Sequence, residues 1–187
     1  LSATMVGLAH VMRSGSFVLN ESWALMQTTG RQMRVNVGLA LADHDDMVYL
    51  ENLPFGPKAS LRKIVVGQRV PMALTALGRA YLSTLDEVAL GEALALLKKR
   101  HARDWRVLEP QIRAAIVVAQ VQGYCAVGWQ PGVASVATPL VFGHEPVHVL
   151  NMSLYTDDSL AHVTEVLAPG LLRLRDSIVA RLTEASA

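Results

Sequence analysis

The strand-like segments in the C-terminal half of the chain follow one another too closely for a parallel sheet. Alternating or continuous apolar residues mark three of them, at 124–129, 134–141 and 147–154. Parallel strands need a crossover of about a dozen residues or more, whereas tight turns join antiparallel neighbours. The connections here are only 130–133 and 142–146, and they contain the turn residues Gly132 and Gly143. The sequence therefore predicts an antiparallel meander.

A hairpin is predicted in the N-terminal half. Val35, Val37, Leu39 and Leu41 alternate with other residues, and Val48 and Leu50 resume the alternation after the cluster 43–46. That cluster, Asp-His-Asp-Asp, has the composition of a metal-binding loop, but Asp and His are also favoured in turns, and we favour the turn. A third strand is predicted at 61–66, after a proline-containing loop.

Apolar residues at helical spacing predict helices at 2–13, 17–29, 75–85, 86–99, 109–122 and 159–183. Pro110 is expected in the first turn of its helix, where a missing N–H costs nothing. The last helix is expected to be interrupted near Pro169, and the basic run 98–103 to complement the dipole at a helix end. Together these elements predict an α+β domain in which helices flank one antiparallel sheet.

Composition excludes several classes of function. The 17 basic and 16 acidic residues give a net charge of +1, so the chain lacks the concentrated basic surface of a domain that grips nucleic acid by itself. One cysteine, Cys125, forms neither an internal disulfide nor a thiolate cluster, which fits a cytoplasmic protein. No apolar run approaches the ~20 residues of a membrane helix, and no signal-peptide pattern opens the chain. We expect no membrane partner.

Motifs of catalysis and cofactor binding are missing from the sequence. It has no nucleophile elbow, phosphate-binding loop, metalloprotease helix or dinucleotide fingerprint, and its six histidines are not spaced as metal ligands. We therefore expect no enzyme, no metal and no cofactor. A small hydrolase that uses Ser135 or Cys125 remains the enzymatic alternative, although neither residue has a neighbouring base in the sequence.

Short polar side chains interrupt two strands that are otherwise apolar. Asn151 and Ser153 share one face of the last strand, and Ser135 occupies a similar position on the strand before it. Either these groups satisfy one another or a trapped water, or they line a cavity for a small polar ligand. The sequence leaves both alternatives open.

The start of the helix at 75–85 is a candidate anion site. Pro71 ends an extended piece, and Thr75 is a plausible N-cap. The N–H groups of Ala76 and Leu77 would then be free to bind a carboxylate. The alternative is an ordinary capped helix with Leu77 in the core.

Three stretches resemble the effector-binding domain of the IclR (isocitrate lyase regulator) family over nearly the whole chain. They are VGLALADHDDMVYLEN at 37–52, PMALTALGRAYL at 71–82 and GYCAVGWQPGVASVATPLVFGHEPVHVLNMS at 123–153. The resemblance implies a GAF-like fold that binds a small organic or aromatic acid and assembles as a homodimer or homotetramer. Residues 1–15 would be the end of a linker helix or the first sensor helix, and 16–187 the effector-binding domain. Promoter DNA would be contacted only by a winged helix-turn-helix domain, which is missing from this chain and expected upstream.

The resemblance also implies a set of ligand-binding residues. It carries over to Thr75, Ala76, Leu77, Val127, Ser135, Asn151 and Ser153, and we add Met72 and Trp129 as pocket walls. Val127 stands where glyoxylate- and pyruvate-binding members have an acidic residue, and Leu77 where they have a smaller one. Both departures make the pocket more apolar and favour an aromatic acid. A dimerisation module with a vestigial cavity is the alternative function.

Overall fold

The computed structural model describes residues 15–56 and 64–186. Within these ranges the helices are α1 (Phe17–Met33), α2 (Ala76–Leu82), α3 (Glu87–Arg100), α4 (Trp105–Gln122) and α5 (Leu160–Ala185). The strands are β1 (Asn36–Asp43), β2 (Asp46–Pro54), β3 (Arg69–Pro71), β4 (Cys125–Gln130), β5 (Val133–Leu140) and β6 (His148–Tyr155).

All six strands form one antiparallel sheet in the order β3-β2-β1-β6-β5-β4. β6 lies between β1 and β5 and joins the N-terminal hairpin to the C-terminal meander. Asn36 of β1 is opposite Ser153 of β6, and Ser153 is in turn opposite Ser135 of β5. The α+β class and the antiparallel pairing predicted from the sequence are confirmed.

Helices cover both faces of the sheet. On one face, α2, α3 and α4 pack on residues such as Ala40, Cys125 and Val149. On the other face, α1 and α5 pack on residues such as Leu150 and Met152. Because successive residues of a strand point to opposite faces, β6 contributes to both cores, and it is buried from His148 to Ser153.

The predicted hairpin is confirmed, and its acidic turn is paired with arginines. His44 adopts a left-handed conformation (φ 58°) between β1 and β2, as a tight turn requires. Arg69 donates to Asp43 and to Asp46 Oδ2 (3.0 Å), and Arg100 Nη1 donates to Asp45 Oδ2 (2.8 Å). The hydrogen bond with Arg69 lowers the pKa of Asp43, and that with Arg100 lowers the pKa of Asp45.

The third strand lies later in the chain than the sequence predicts. Residues 61–63 fall outside the described ranges, and 64–66 are not in a strand. Gly67 turns the chain at φ 82° and donates its N–H to Tyr49 O (2.7 Å), while Gln68 O accepts from Tyr49 N (3.0 Å). This turn brings Arg69–Pro71 beside β2 as a three-residue strand. Val65 and Val66, two of the apolar residues on which the prediction at 61–66 was based, are exposed at this turn.

Two proline predictions are wrong. α4 begins at Trp105, so Pro110 lies inside the helix and not in its first turn. α5 passes through Pro169 without interruption. Each proline removes one backbone hydrogen bond, and the buried helix face offsets that loss. The helix predicted at 2–13 lies outside the described residues. The basic run ends a helix as predicted, with Lys98, Lys99 and Arg100 in the last turn of α3.

Candidate functional site

A cavity of about 460 Å³ lies between the start of α2 and the sheet. Strands β1, β2, β5 and β6 form its floor, and Trp129 and Tyr155 also line it. Small-molecule sites in proteins commonly have volumes of about 300–1,000 Å³. The cavity is therefore large enough for a small organic molecule.

The start of α2 forms one wall of the cavity. Thr75 caps the helix: its Oγ1 accepts from Gly78 N (3.3 Å), and its carbonyl accepts from Arg79 N (3.1 Å), which is the first bond of the helical ladder. The N–H groups of Ala76 and Leu77 precede that bond, and both residues line the cavity. The capping role predicted for Thr75 is confirmed.

Gly78 holds this wall against the preceding turn. A Cβ atom at this position would lie 2.0 Å from Met72 O and 2.4 Å from Met72 Cα. The missing side chain allows the backbone of α2 to contact the backbone at Met72 directly. The positions of Thr75, Ala76 and Leu77 relative to the sheet depend on this contact.

A polar cluster lies opposite that wall, on β5 and β6. Asn151 Nδ2 donates to Ser135 Oγ (3.2 Å), and Ser153 faces Ser135 across the strand pair. All three residues are buried. Asn151 Oδ1 is buried as well and has no hydrogen-bond partner among the described residues. The cluster therefore does not satisfy itself completely, which favours a ligand-lining role over a closed polar network.

Tyr49 and Gly38 lie beside Asn151, and Tyr49 also lines the cavity. A Cβ atom on Gly38 would lie 2.5 Å from Asn151 Oδ1 and 2.6 Å from Tyr49 Cε1, so the glycine makes room for both side chains. Burial raises the pKa of the Tyr49 hydroxyl, and a hydrogen bond with Asn151 opposes that shift. Tyr49 is therefore a neutral hydroxyl at neutral pH.

The structure brings together seven of the nine predicted site residues. Those that line the cavity are Thr75, Ala76, Leu77, Trp129, Ser135, Asn151 and Ser153. The other two, Met72 and Val127, are buried in the apolar core packed against α2 and do not line it. Whether the seven bind a ligand stays a prediction.

Several residues that line the cavity were not predicted from the sequence. They include Asn36, Tyr49, Gln68, Arg69, Val133 and Tyr155. The strand was predicted from Val48 and Leu50, whereas Met47 and Tyr49 are the buried residues of this part of β2 and share a core with Ala40. Asn36 could have been predicted from the sequence. Together with Gly38 and Ala40 it forms a face of β1 with polar or small residues, opposite the apolar face of Val37 and Leu39.

Charged groups near the cavity give the helix wall a positive character. Arg79 of α2 is buried and does not line the cavity, and it donates to Ala73 O (3.1 Å) and Gln111 Oε1 (3.5 Å). Desolvation lowers its pKa, but arginine remains charged at neutral pH. None of the described carboxylates pairs with Arg79, whereas the cavity-lining Arg69 is neutralised by Asp43 and Asp46. Net positive charge behind the wall favours an anionic ligand.

Cys125 lies behind the cavity wall. Its thiol donates to Ala76 O (3.3 Å), and burial raises its pKa to about 12. Since the thiolate is the reactive form, this environment makes the sulfur inert.

A thiol reagent provides the test. We expect Ellman's reagent at pH 8 to modify Cys125 in the native chain at least about a hundredfold more slowly than in the guanidinium-denatured chain, because both access and thiolate formation are suppressed. The denatured sample is the internal control for reagent quality. Comparable rates in the two samples would restore Cys125 as a candidate nucleophile.

Within the described ranges, no helix is long and apolar enough to cross a membrane, and no three His, Cys, Asp or Glu side chains are grouped as metal ligands.

Comparison with known families gives a match over most of the chain. Residues 16–165 match the profile described as "Bacterial transcriptional regulator IclR C-terminal". The Pca regulon regulatory protein of Pseudomonas putida is 26% identical over 137 residues, and the match covers 71% of this chain and 47% of that protein. The chain thus spans about half the length of the curated relative that it matches.

Solved structures share the fold. An IclR family transcriptional regulator from Brucella abortus superposes with a TM-score of 0.85 at 24% identity, covering 96% of this chain and 69% of that one. An IclR homolog from Microbacterium hydrocarbonoxydans, solved in complex with 4-hydroxybenzoate, superposes with a TM-score of 0.72 at 18% identity, covering 91% of this chain and 71% of that one. Both likenesses concern the fold alone.

Proposed function

Because the chain belongs to the IclR family of bacterial transcriptional regulators, as their C-terminal domain, we propose that its cavity binds a small organic acid as an effector. The carboxylate would accept from the main-chain N–H groups of Ala76 and Leu77. The polar cluster on β5 and β6 would bind the other polar groups of the ligand. We expect such a regulator to act in the cytoplasm and to reach promoter DNA through a domain upstream of residue 16.

The proposal rests on Asn151. An unpaired polar atom in a protein interior costs about 1–3 kcal/mol, and such atoms are rare in folded proteins. Asn151 lines the cavity, and its Oδ1 is buried and unpaired among the described residues. A ligand that carries a hydroxyl or N–H donor would satisfy it, so a hydroxylated acid fits better than a plain one.

The other lining residues favour an aromatic acid. Leu77, Trp129 and Val133 give the cavity apolar walls, and its volume exceeds what a two- or three-carbon acid fills. Val127 no longer supports this conclusion, because it does not line the cavity. The 4-hydroxybenzoate complex of the Microbacterium protein lends support by analogy of fold.

Ligand binding would be transmitted to the N-terminal side of the domain through β1. Asn36 lines the cavity, and α1 ends three residues before it, at Met33. A ligand shifts the arrangement of α1 only if it binds one arrangement more tightly than another. The linker preceding α1 would carry this difference to the DNA-binding domain.

A hydrolase is disfavoured because no His, Asp or Glu lies among the described residues that line the cavity. Ser135, the remaining nucleophile candidate, accepts a hydrogen bond from the Asn151 amide, and its hydroxyl donates to no base among the described residues. General-base activation of its hydroxyl would need a group that these residues do not provide.

A thermal-shift screen tests the proposed function. The probes are benzoate, 4-hydroxybenzoate, glyoxylate and pyruvate at neutral pH, with acetate as the control for ionic strength. A probe at a hundredfold excess over its Kd stabilises the folded domain by about 2.7 kcal/mol, which raises Tm by several degrees. We expect the aromatic acids to stabilise the domain and 4-hydroxybenzoate to do so most.

If only glyoxylate or pyruvate stabilises the domain, the predicted preference for aromatic acids is wrong, but the domain would still be a sensor of small organic acids. If no acid changes Tm and calorimetry detects no binding, the effector role is wrong, and the alternative of a dimerisation module with a vestigial cavity takes its place.

A further inference from the structure

A basic patch lies where α3 ends and α4 begins. Four exposed cations form it: Lys98, Lys99, Arg103 and Arg106. None of the four forms an ion pair with a described carboxylate, whereas Arg100 in the same stretch is paired with Asp45 and Asp46. The segment 98–106 contains a single acidic residue, Asp104. The net charge of the chain conceals this patch, because most of the balancing acidic residues lie elsewhere in the sequence.

The two helix ends that carry the patch lie on one surface. The hydrogen bond with Arg113 lowers the pKa of Glu109, and the charge of Lys98 contributes to the same shift. The end of α3 is therefore close to the first turns of α4. The short turn between them is held by Asp104 N, which donates to His101 O (3.1 Å). This geometry brings the four cations together.

Helix stability explains only half of the patch. Lys98 and Lys99 are in the last turn of α3, where the helix dipole stabilises cations. Arg106 is the second residue of α4, where the dipole disfavours a cation, and Asp104 makes no side-chain capping hydrogen bond there. Arg103 lies in the turn and belongs to neither helix. Cations that gain nothing from their own helices, and that no described carboxylate neutralises, favour a negatively charged partner.

The patch lies at the end of the sheet where α1 begins. A connection of only two residues, 34–35, joins α1 to β1, so the start of α1 lies toward the end of β1. The ring of Phe17 contacts that of Phe142 (centroids 6.4 Å apart), which follows β5 at this end of the sheet. Arg100, at the end of α3, donates to Asp46 Oδ1 (2.8 Å) in the turn after β1. The patch and the residues that lead upstream therefore share one end of the domain.

We propose that the basic patch binds the phosphate backbone of duplex DNA without reading its sequence. The choice of DNA rests on the DNA-binding domain proposed upstream of residue 16, because DNA held there would lie toward the same end of the sheet. Lysine and arginine side chains bind phosphate oxygens, and such contacts carry no sequence information. The patch contains no residue of the cavity.

The contact would add to the one made by the upstream domain. Four phosphate contacts give weak binding to free DNA, and salt weakens it further. When the upstream domain already holds the DNA, the patch meets it at an effective concentration of about 1 mM. A contact whose Kd is well below that concentration is then largely formed.

Fluorescence anisotropy with a labelled 20-base-pair duplex tests the proposal on the full chain, without added ligand. We expect binding in 20 mM KCl with a Kd below about 50 µM. The logarithm of the association constant should fall against the logarithm of the salt concentration with a slope of about −3.6, since each of four neutralised phosphates contributes about −0.9. Raising KCl from 20 to 50 mM should therefore weaken binding about twenty-fivefold.

Two double variants locate the contact. Arg103→Gln/Arg106→Gln should halve the slope to about −1.8, because two phosphate contacts are lost. Lys98→Gln/Lys99→Gln should have the same effect, and it leaves α4 unchanged. Arg31→Gln/Arg34→Gln is the matched control, since it removes two exposed charges at the opposite end of α1. The affinity and the slope of this control should equal those of the unmodified chain.

Two competitors define the partner. An unlabelled duplex of unrelated sequence should displace the labelled one with equal affinity, because only phosphates are bound. Poly-L-glutamate at the same total charge should displace it at least about tenfold less well, because duplex DNA carries one charge per ~1.7 Å of its axis. If poly-L-glutamate competes as well as DNA, the patch recognises acidic protein and the assignment to DNA is wrong.

Absence of binding in 20 mM KCl overturns the proposal, as does a slope that both patch variants leave unchanged. An equal loss in Arg31→Gln/Arg34→Gln would also overturn it, since the attraction would then come from the charge of the whole chain. Neither the effector nor an upstream domain takes part in this titration. Failure of the proposed function would therefore leave its result unchanged.

Discussion

Replacing Gly78 by alanine is expected to lower the free energy of unfolding by about 3 kcal/mol, near the upper end of the usual cost of overpacking. The new methyl group would lie 2.0 Å from Met72 O and 2.4 Å from Met72 Cα. These are backbone atoms, so no rotation of a side chain relieves the clash. Either α2 or the turn at Met72 must move, and the amides of Ala76 and Leu77 would move with them.

Denaturant unfolding followed by circular dichroism measures this loss, and Gly91→Ala is the matched control. Gly91 lies within α3, and a Cβ there meets nothing within 4 Å. The same chemical change should therefore raise the stability by about 0.5–1 kcal/mol, through helix propensity alone. Equal effects at the two positions would show that the backbone contact at Met72 does not hold α2 in place.

Replacing Asn151 by leucine is expected to weaken binding of the best acid in the thermal-shift screen by about thirtyfold or more. Leucine has a similar volume but neither bonds the ligand nor donates to Ser135, whose hydroxyl is left buried beside it. Losing the contact between Asn151 and the ligand costs about 2 kcal/mol of binding free energy, which corresponds to that factor, whereas the stranded Ser135 hydroxyl lowers stability instead. Ser153→Val removes one hydroxyl from the same face and should cost about tenfold.

Thr138→Val is the control for the variants Asn151→Leu and Ser153→Val. Thr138 is fully buried on the opposite face of β5, where its hydroxyl donates to Gly123 O (2.6 Å). Its replacement should lower stability and leave affinity for the acid unchanged. Calorimetry on the variants measures both affinities, and full affinity in Asn151→Leu would remove the polar cluster from the binding site.

Local signals in the sequence were sufficient wherever short-range chemistry decides the structure. The turn at His44 and the cap at Thr75 each depend on a few consecutive residues, and both are predicted correctly. The grouping of Asn151 and Ser153 on one face follows from strand alternation alone. Ser135 joins them because β5 and β6 are neighbours in the meander.

Long-range packing explains what the sequence did not predict. Both faces of β2 pack against apolar cores, so alternation gives no sign of which face borders the cavity, and Tyr49 was missed. The turn at Gly67 depends on hydrogen bonds to Tyr49, some 18 positions earlier, and it displaces the third strand. Met72 and Val127 were predicted to line the cavity, but the packing of α2 encloses them in the core.

The central place of β6 has a consequence for how the chain acquires its structure. β1 is made early in synthesis, yet its inner neighbour comes from residues 148–155, more than a hundred positions later. Until that segment leaves the ribosome, the hairpin has an open edge and β5 has only one neighbour. Such non-local pairing slows folding and leaves unpaired strand edges open to aggregation. A nascent chain that stops short of β6 has neither a closed sheet nor a cavity, so folding and the capacity to sense a ligand arise together, near the end of translation.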